Sequence, residues 1–189
     1  VLSTGMATMS EIEDALNVLI TAGTLKDKIT VLHANTMYPT PMEDVNLKAM
    51  LTIGKTFDVA FGYSDHTLGI EVDIGAVAMG ATVIEKHFTL ARADGGVDSA
   101  FSMEPDAMAQ LVTETERARK ALGMVSYGST EAEKKSIQFR RSLYVIQDIK
   151  AGEVLTRENV RAIRPGFGLP PKYIEELLGK RVNKSVKRG

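Results

Sequence analysis

The chain has 189 residues, is 44% hydrophobic and carries a formal net charge of −1. This length and apolar content predict one large domain, or a medium and a small one, with a substantial core, and the near-neutral charge indicates neither a nucleic-acid partner nor an anionic membrane. The absence of cysteine excludes disulfides and thiolate chemistry and fits a cytoplasmic location.

Both ends of the sequence look interrupted. The first residues, from Val1, have the character of a strand already begun, and Gly189 stops the chain at a turn signal. We therefore expect the sequence to be a piece of a longer protein. After the strand that ends near residue 5, a helix is predicted, with Thr8 or Ser10 as its N-cap.

Strands and helices then alternate as far as residue 122. Further strands are predicted over residues 28–33, 57–61 and 81–84, and helices from about residue 47 and over 71–79 and 104–122. The spacing of about 25 to 30 residues is that of a βα unit. Four such units are half of an eight-stranded barrel or most of an open doubly wound sheet. No Gly-x-Gly-x-x-Gly or Walker motif is present to favour a nucleotide-binding sheet.

Two histidines follow neighbouring strands of this pattern. His66 lies just after the strand predicted over 57–61, and His87 just after the strand predicted over 81–84. The carboxyl ends of parallel strands meet at one edge of a sheet, which is where ligands bind in α/β folds. Two imidazoles that converge there indicate a metal site. The alternative is that each histidine is a packed residue with an ordinary hydrogen bond.

The remainder of the chain has a different character. Residues 123–137 are polar and rich in Gly, Ser and Glu, which predicts a linker. Residues 138–189 contain short strands and turns, which predict a small β-rich module with little core of its own.

The motifs of the chain, taken in order and spacing, resemble the sialic acid synthase family. The first part contains Ser-Thr-Gly-Met (3–6), His-x-x-x-x-Tyr-Pro-Thr-Pro (33–41), Gly-Tyr-Ser-Asp-His-Thr-Leu-Gly (62–69), Glu-Lys-His-Phe-Thr (85–89) and Ser-Met-Glu-Pro-Asp (102–106). The second part, with Arg-Arg-Ser-Leu (140–143), Lys-Ala-Gly-Glu (150–153) and Arg-Pro-Gly-x-Gly (164–168), resembles the antifreeze-like (SAF) domain of that family.

The resemblance implies a (β/α)8 TIM barrel followed by a SAF domain. On this reading residues 1–122 are strands five to eight of the barrel with their helices, and residues 138–189 are most of the SAF domain. Members of the family condense phosphoenolpyruvate with an N-acetylated amino sugar, release phosphate, and need a divalent metal. The resemblance further implies Mn²⁺, with Mg²⁺ as the other possibility, and a domain-swapped homodimer.

The resemblance also assigns site residues. His66 and His87 match the two metal ligands, and we expect the metal to act as a Lewis acid on the aldehyde oxygen. The catalytic candidates are Asp98 and Tyr38. The candidates for substrate binding are Ser3, Asn35, Thr36, Ser64, Phe139 and Arg164.

Each of these residues has an ordinary structural alternative. Asp98 could belong to a Gly-rich turn, and Ser3 could be a helix cap. Tyr38 could simply pack against the following proline, and Arg164 could be a surface residue on an edge strand. Either Asn35 or Thr36 could make the substrate contact, because relatives place their Asn one position apart. Glu85 and Lys86 are expected to line the barrel.

The resulting expectation is an N-acetylneuraminate synthase that uses N-acetylmannosamine. Synthases of N,N'-diacetyllegionaminate or pseudaminate are the alternatives within the same class. A further alternative is an inactive fragment that serves only for carbohydrate binding or dimerisation.

Overall fold

Four parallel strands alternate with four helices along the first 124 residues. In the computed structural model, which describes residues 1–189, these residues form one unit, Val1–Met124, and the remainder forms a second, Val125–Gly189. The elements of the first unit are β1 (Leu2–Ser3), α1 (Met9–Thr21), β2 (Thr30–Ala34), α2 (Leu47–Phe57), β3 (Ala60–Asp65), α3 (Glu71–Ala78), β4 (Val83–Lys86) and α4 (Pro105–Leu122). Short 3-10 helices lie at Lys26–Lys28, Met42–Asp44 and Arg92–Asp94.

The sheet has the order β1-β2-β3-β4, with every neighbouring pair parallel. A doubly wound sheet reverses its strand order at a switch point, whereas a barrel adds its strands in sequence. The sequential order therefore agrees with four consecutive βα units of a barrel.

Local sequence explains where α1 begins. Thr8 caps α1 through a capping box, in which Thr8 Oγ1 accepts a hydrogen bond from Glu11 N at 3.3 Å and the Glu11 carboxylate accepts one from Thr8 N at 2.7 Å.

The prediction that a strand begins at residue 57 is wrong. Phe57 is the last residue of α2, and Asp58, at φ 50°, ends the helix in the left-handed region.

The helices cover one face of the sheet. Ile12 and Leu16 of α1 pack with Val31 of β2, and Met50 and Val72 pack with the residues of a second cluster around β3, Tyr63 among them. Because side chains alternate along a strand, the residues on the other face include Ser3, Leu32, Ala34, Gly62, Ser64, Val83 and Glu85.

Close packing between β3 and its neighbours depends on two glycines. A Cβ at Gly62 would lie 2.1 Å from the carbonyl oxygen of Val83, and a Cβ at Gly54 would lie 2.2 Å from the Phe61 ring. Glycine at these positions brings β4 and α2 close to β3, and thereby brings the ends of β3 and β4 close together.

The second unit is built on two antiparallel strands, β5 (Ser142–Val145) and β6 (Val160–Ile163), with a short helix, α5 (Ile174–Leu177). One of the short strands expected in residues 138–189, around Val154, forms only a single bridge, with Arg181. The region predicted as a linker contains the beginning of a 3-10 helix, Glu133–Phe139. No helix of either unit combines the length and the apolar character that crossing a membrane requires.

Candidate active site

Two imidazoles meet where β3 and β4 end. The ring centroids of His66 and His87 are 5.3 Å apart, and the rings are inclined at 67°. His66 Nδ1 lies 2.6 Å from the carbonyl oxygen of Asn35. Because that oxygen can only accept, Nδ1 carries the hydrogen, and Nε2 keeps its lone pair free for a cation or a proton.

Asp98 reaches His87 from the loop that follows β4. Its carboxylate oxygen Oδ2 lies 3.6 Å from His87 Nδ1. The loop is held in place near Ser102, whose hydroxyl donates to the Asp98 carbonyl at 2.8 Å and whose carbonyl accepts from Arg92 Nε at 2.8 Å. At this separation, which is longer than a hydrogen bond, the carboxylate faces the His87 ring without bonding to it directly.

The donor set at this point consists of the two imidazoles. No group of three or more histidine, aspartate or glutamate side chains is arranged to hold a metal ion. Two nitrogen ligands suit a divalent cation that completes its shell with water and substrate oxygen, and the free Nε2 of His66 fits such a role. His66 and His87 are therefore the residues that would hold the implied metal.

Two aromatic rings enclose the imidazoles. The Tyr38 centroid lies 4.1 Å from that of His66 and 5.6 Å from that of His87. Phe101 lies 5.2 Å from His87 and 5.7 Å from Tyr38. Phe101 was missed by the sequence analysis, although a lone phenylalanine in a Gly-rich loop at the ligand end of a sheet is a usable signal.

A cleft of about 220 Å³ lies beside the histidines and is lined by Ser64, His66, Glu85, Lys86 and His87. Within it the Ser64 hydroxyl donates to the Glu85 carboxylate at 2.7 Å. A groove of about 500 Å³ between α1 and α2 is larger, but it contains no carboxylate beside its one imidazole, that of His33. We therefore assign the site to the smaller cleft, where the titratable groups converge.

The other predicted residues of the first unit lie around this edge. Ser3 is exposed on the same sheet face as Ser64. The Asn35 side chain makes two bonds within its own loop, accepting from Met37 N at 2.8 Å and donating to the Asp44 carbonyl at 3.2 Å. Thr36 is exposed.

Phe139 and Arg164 belong to the second unit and are both exposed. Arg164 directly follows β6. The turn after it is held by the buried Ser142, whose hydroxyl donates to the Pro165 carbonyl at 2.6 Å and accepts from Gly168 N at 3.0 Å. Arg164 is thus a free guanidinium on a fixed turn.

A buried charge cluster lies on the helix side of the same strand ends. Lys86 Nζ pairs with Asp65 and lies 3.4 Å from Asp73 Oδ2. Lys86 contributes to the lining of the cleft beside Glu85, but its ammonium turns toward α3, because successive strand residues face opposite sides. Burial also raises the pKa of the Tyr63 hydroxyl, which has no hydrogen-bond partner.

Asp73 is the member of this cluster whose carboxylate lacks hydrogen bonds. It is fully buried, and neither carboxylate oxygen accepts a hydrogen bond. Burial and the nearby charge of Asp65 raise its pKa to about 7, against the opposing effect of Lys86, whose ammonium already binds Asp65.

This pKa predicts a pH-dependent stability. Between about pH 4 and pH 7 the folded state binds the Asp73 proton and the unfolded state does not, so the free energy of unfolding falls as the pH rises. We expect the free energy of unfolding of Asp73→Asn, measured relative to that of the parent chain, to rise by roughly 2–4 kcal/mol from pH 4 to pH 8. Urea unfolding across this range measures the difference. Glu71→Gln, an exposed carboxylate in the same helical turn, is the control, and parallel curves for parent and Asp73→Asn would contradict the prediction.

Comparison with known proteins identifies matching families and relatives. A sequence model of the NeuB family matches residues 1–127, and one of the SAF domain matches residues 140–189. The chain is 44% identical over 188 residues to the N,N'-diacetyllegionaminic acid synthase of Campylobacter jejuni, covering 99% of this chain and 56% of the relative. It is 39% identical to the pseudaminic acid synthase of the same organism, covering 100% of this chain and 54% of the relative.

One more distant relative and two solved structures are also similar to this chain. The chain is 32% identical to the human N-acetylneuraminate-9-phosphate synthase, covering 96% of this chain and 51% of the relative. It resembles the N-acetylneuraminic acid synthetase of Leptospira borgpetersenii, crystallised with citrate, with a TM-score of 0.65 and 41% identity over 74% of this chain and 48% of that one. A Bacillus subtilis spore coat polysaccharide biosynthesis protein matches with a TM-score of 0.59 and 28% identity over 98% of this chain and 57% of that one. The chain spans about half the length of the curated relatives it matches.

Proposed function

Because this chain belongs to the NeuB family and carries a SAF domain, we propose that its protein is a nonulosonate synthase, which condenses phosphoenolpyruvate with an N-acetylated amino sugar and releases phosphate. The observation that carries the proposal is the meeting of His66 and His87 at adjacent strand ends, with centroids 5.3 Å apart. Both histidines lie within motifs by which the sequence resembles the family.

The metal proposed for this site is Mn²⁺, with Mg²⁺ as the alternative. A bound divalent cation would supply Lewis-acid polarisation of the sugar aldehyde. The chain's own contribution is to hold and orient the two imidazoles. The Asn35 carbonyl fixes the tautomer of His66, and Asp98 faces His87 Nδ1.

The surrounding side chains complete the proposed mechanism. Tyr38 and Phe101 cover the imidazole rings and limit the access of bulk water to them. The exposed Ser3 hydroxyl can donate a hydrogen bond to an anionic substrate such as phosphoenolpyruvate. Ser64 lies on the same sheet face, and because its hydroxyl donates to Glu85, it can accept a hydrogen bond from the substrate. Asp98, half-exposed beside His87, is placed to orient the water that must add to the second carbon of phosphoenolpyruvate.

Arg164 and Phe139 are proposed to contact the sugar from the second unit. A guanidinium can donate to an acetamido or carboxylate oxygen. We propose that they do so across a domain-swapped homodimer, in which the SAF domain of one subunit meets the barrel of the other. The proposed location is the cytoplasm, where phosphoenolpyruvate is made.

For the substrate we propose a 2,4-diacetamido sugar. Two relatives at 44% and 39% identity are named as synthases of N,N'-diacetyllegionaminic and pseudaminic acid, whereas the human N-acetylneuraminate-9-phosphate synthase is 32% identical. N-acetylmannosamine, the substrate expected from the sequence alone, remains the second candidate.

Phosphate release measured side by side decides between these substrates. We expect kcat/KM for one 2,4-diacetamido sugar to exceed that for N-acetylmannosamine by at least about 100-fold, because a site built to bind a second acetamido group leaves polar groups unpaired without it. The assay uses the protein as its gene encodes it, with Mn²⁺, and reactions without phosphoenolpyruvate are the control. Equal or higher kcat/KM for N-acetylmannosamine would reverse the assignment.

The alternative from another class is a fragment that serves only as a carbohydrate-binding or dimerisation module. The same assay tests it. We expect the 189 residues alone to give no turnover, and turnover by these residues would contradict that expectation. No turnover with any of the sugars by the protein as encoded would favour the module.

A further inference from the structure

A buried cluster of three charged side chains joins the two strand ends that carry the histidines. Lys86 Nζ pairs with Asp65 and lies 3.4 Å from Asp73 Oδ2, and the exposed fractions of these side chains are 4%, 0% and 0%. Asp65 is the residue before His66, and Lys86 is the residue before His87. The ion pair therefore connects the backbones from which both imidazoles project.

The same cluster holds the residue after His66. Asp65 accepts hydrogen bonds from Thr67 N at 2.8 Å and from Thr67 Oγ1 at 3.0 Å. Lys86 Nζ donates to the Thr67 carbonyl at 3.0 Å. His66 is thus held on both sides by groups that do not lie on the cation-facing side of the strand.

The ion pair between Lys86 and Asp65 lies where strands β3 and β4 end. Strands β3 and β4 end at Asp65 and Lys86, which are register partners. The backbone ladder between the two strands ends there, so the ion pair is the last connection between them before the histidines. Since strand residues alternate, the pair faces α3 while the imidazoles face the cleft.

A buried ion pair contributes little net stability compared with apolar side chains of similar size, because desolvation offsets the attraction. What it can do is fix one geometry, since each charge has one well-placed partner. Resting on the metal site proposed above, we propose that Asp65, Lys86 and Thr67 are positioning residues that set the separation of His66 and His87 and thereby the affinity for the divalent cation.

The test measures binding of Mn²⁺ alone, and the visible spectrum of bound Co²⁺, in the protein as its gene encodes it. The main variant, Asp65→Asn/Lys86→Met, is made and compared in an Asp73→Asn background, so that removing both charges of the pair leaves no buried carboxylate without its cation. Thr67→Val removes one hydrogen bond to Asp65 without changing any charge. Glu116→Gln/Arg119→Met, which removes an exposed ion pair on α4, is the matched control, and His66→Ala is the reference for loss of a ligand.

We expect the double variant to bind Mn²⁺ about 10- to 100-fold more weakly, as is usual when groups that orient metal ligands are lost. Thr67→Val should bind about 2- to 5-fold more weakly. Both should alter the Co²⁺ spectrum, which reports ligand geometry, and both should melt without metal close to the parent temperature. The control should retain the parent affinity.

Parent affinity and parent Co²⁺ spectra in both variants, with binding lost in His66→Ala, would overturn the positioning role and leave the metal site intact. If the double variant does not fold, Thr67→Val decides by the same criterion. Parent affinity in His66→Ala and His87→Ala as well would instead overturn the proposed metal site itself. The two failures are therefore distinguishable.

Discussion

Replacing His66 by alanine is expected to reduce metal-dependent turnover by about 1,000-fold or more, because one of only two protein ligands is removed from a Lewis-acid site. His66 is 7% exposed and its ring donates to the Asn35 carbonyl, so the variant also loses about 1–2 kcal/mol of stability. That loss is too small to unfold a typical domain. Phosphate release as a function of Mn²⁺ concentration, together with thermal melting, separates the two effects.

The third histidine of the chain provides a matched control. His33 Nε2 lies 3.0 Å from the Val45 carbonyl, on the helix side of β2 and away from the cleft. A glutamine at this position can still donate to that oxygen. We expect His33→Gln to keep turnover within about 3-fold of the parent, whereas His87→Ala should behave as His66→Ala does. Unchanged Mn²⁺-dependent turnover in His66→Ala would remove His66 from the site.

The family and the architecture were predictable from the sequence because they depend on order and spacing. Apolar runs separated by amphipathic helices at regular intervals define βα units. The motif around His66 and the motif around His87 each follow one such run. The family matches and the solved structures confirm both predictions: membership of the sialic acid synthase family with a SAF domain, and half of a TIM barrel.

The errors arose where tertiary packing decides between local alternatives. Residues 57–61 contain Phe, Val and Phe, which favour a strand, yet Phe57 completes α2 and packs in the cluster around Ile12. The sequence predicts that Lys86 lines the barrel, but not that its ammonium lies in a buried cluster with Asp65 and Asp73. Its partner Asp73 lies on α3, and no spacing rule reveals that a buried carboxylate on a helix will face it.

The site was predictable only in part for a similar reason. Side chains at strand ends converge by topology, so the approach of His66 to His87 follows from the strand pattern. The positions of Phe101 and Asp98 depend instead on the path of a Gly-rich loop, held by Ser102 and Arg92. Such a path is set by hydrogen bonds between residues that local sequence cannot pair.

Arg164 is expected to affect substrate binding more than stability. It is exposed on a turn that Ser142 holds, so Arg164→Ala should melt within about 1–2 °C of the parent. Loss of a charge-assisted hydrogen bond to the sugar should raise KM for the sugar by about 10- to 150-fold, with a smaller effect on KM for phosphoenolpyruvate. Arg161→Ala, which replaces an exposed arginine on β6, the strand that Arg164 follows, is the control and should keep both constants.

Mixing subunits of two impaired variants, assayed at a sugar concentration below the parent KM, tests whether this arginine acts across a dimer. An Arg164→Ala subunit has an intact barrel, and a His66→Ala subunit has an intact SAF domain. If the SAF domain of one subunit completes the site of the other, a heterodimer contains one complete site, and random exchange of equal amounts restores roughly a quarter of the parent sites. If Arg164 serves its own barrel, no heterodimer contains a complete site. Mass measurement verifies that heterodimers have formed. If turnover after exchange then stays at the level of the unmixed variants, the swapped arrangement is excluded, and Arg164 acts in the barrel of its own subunit.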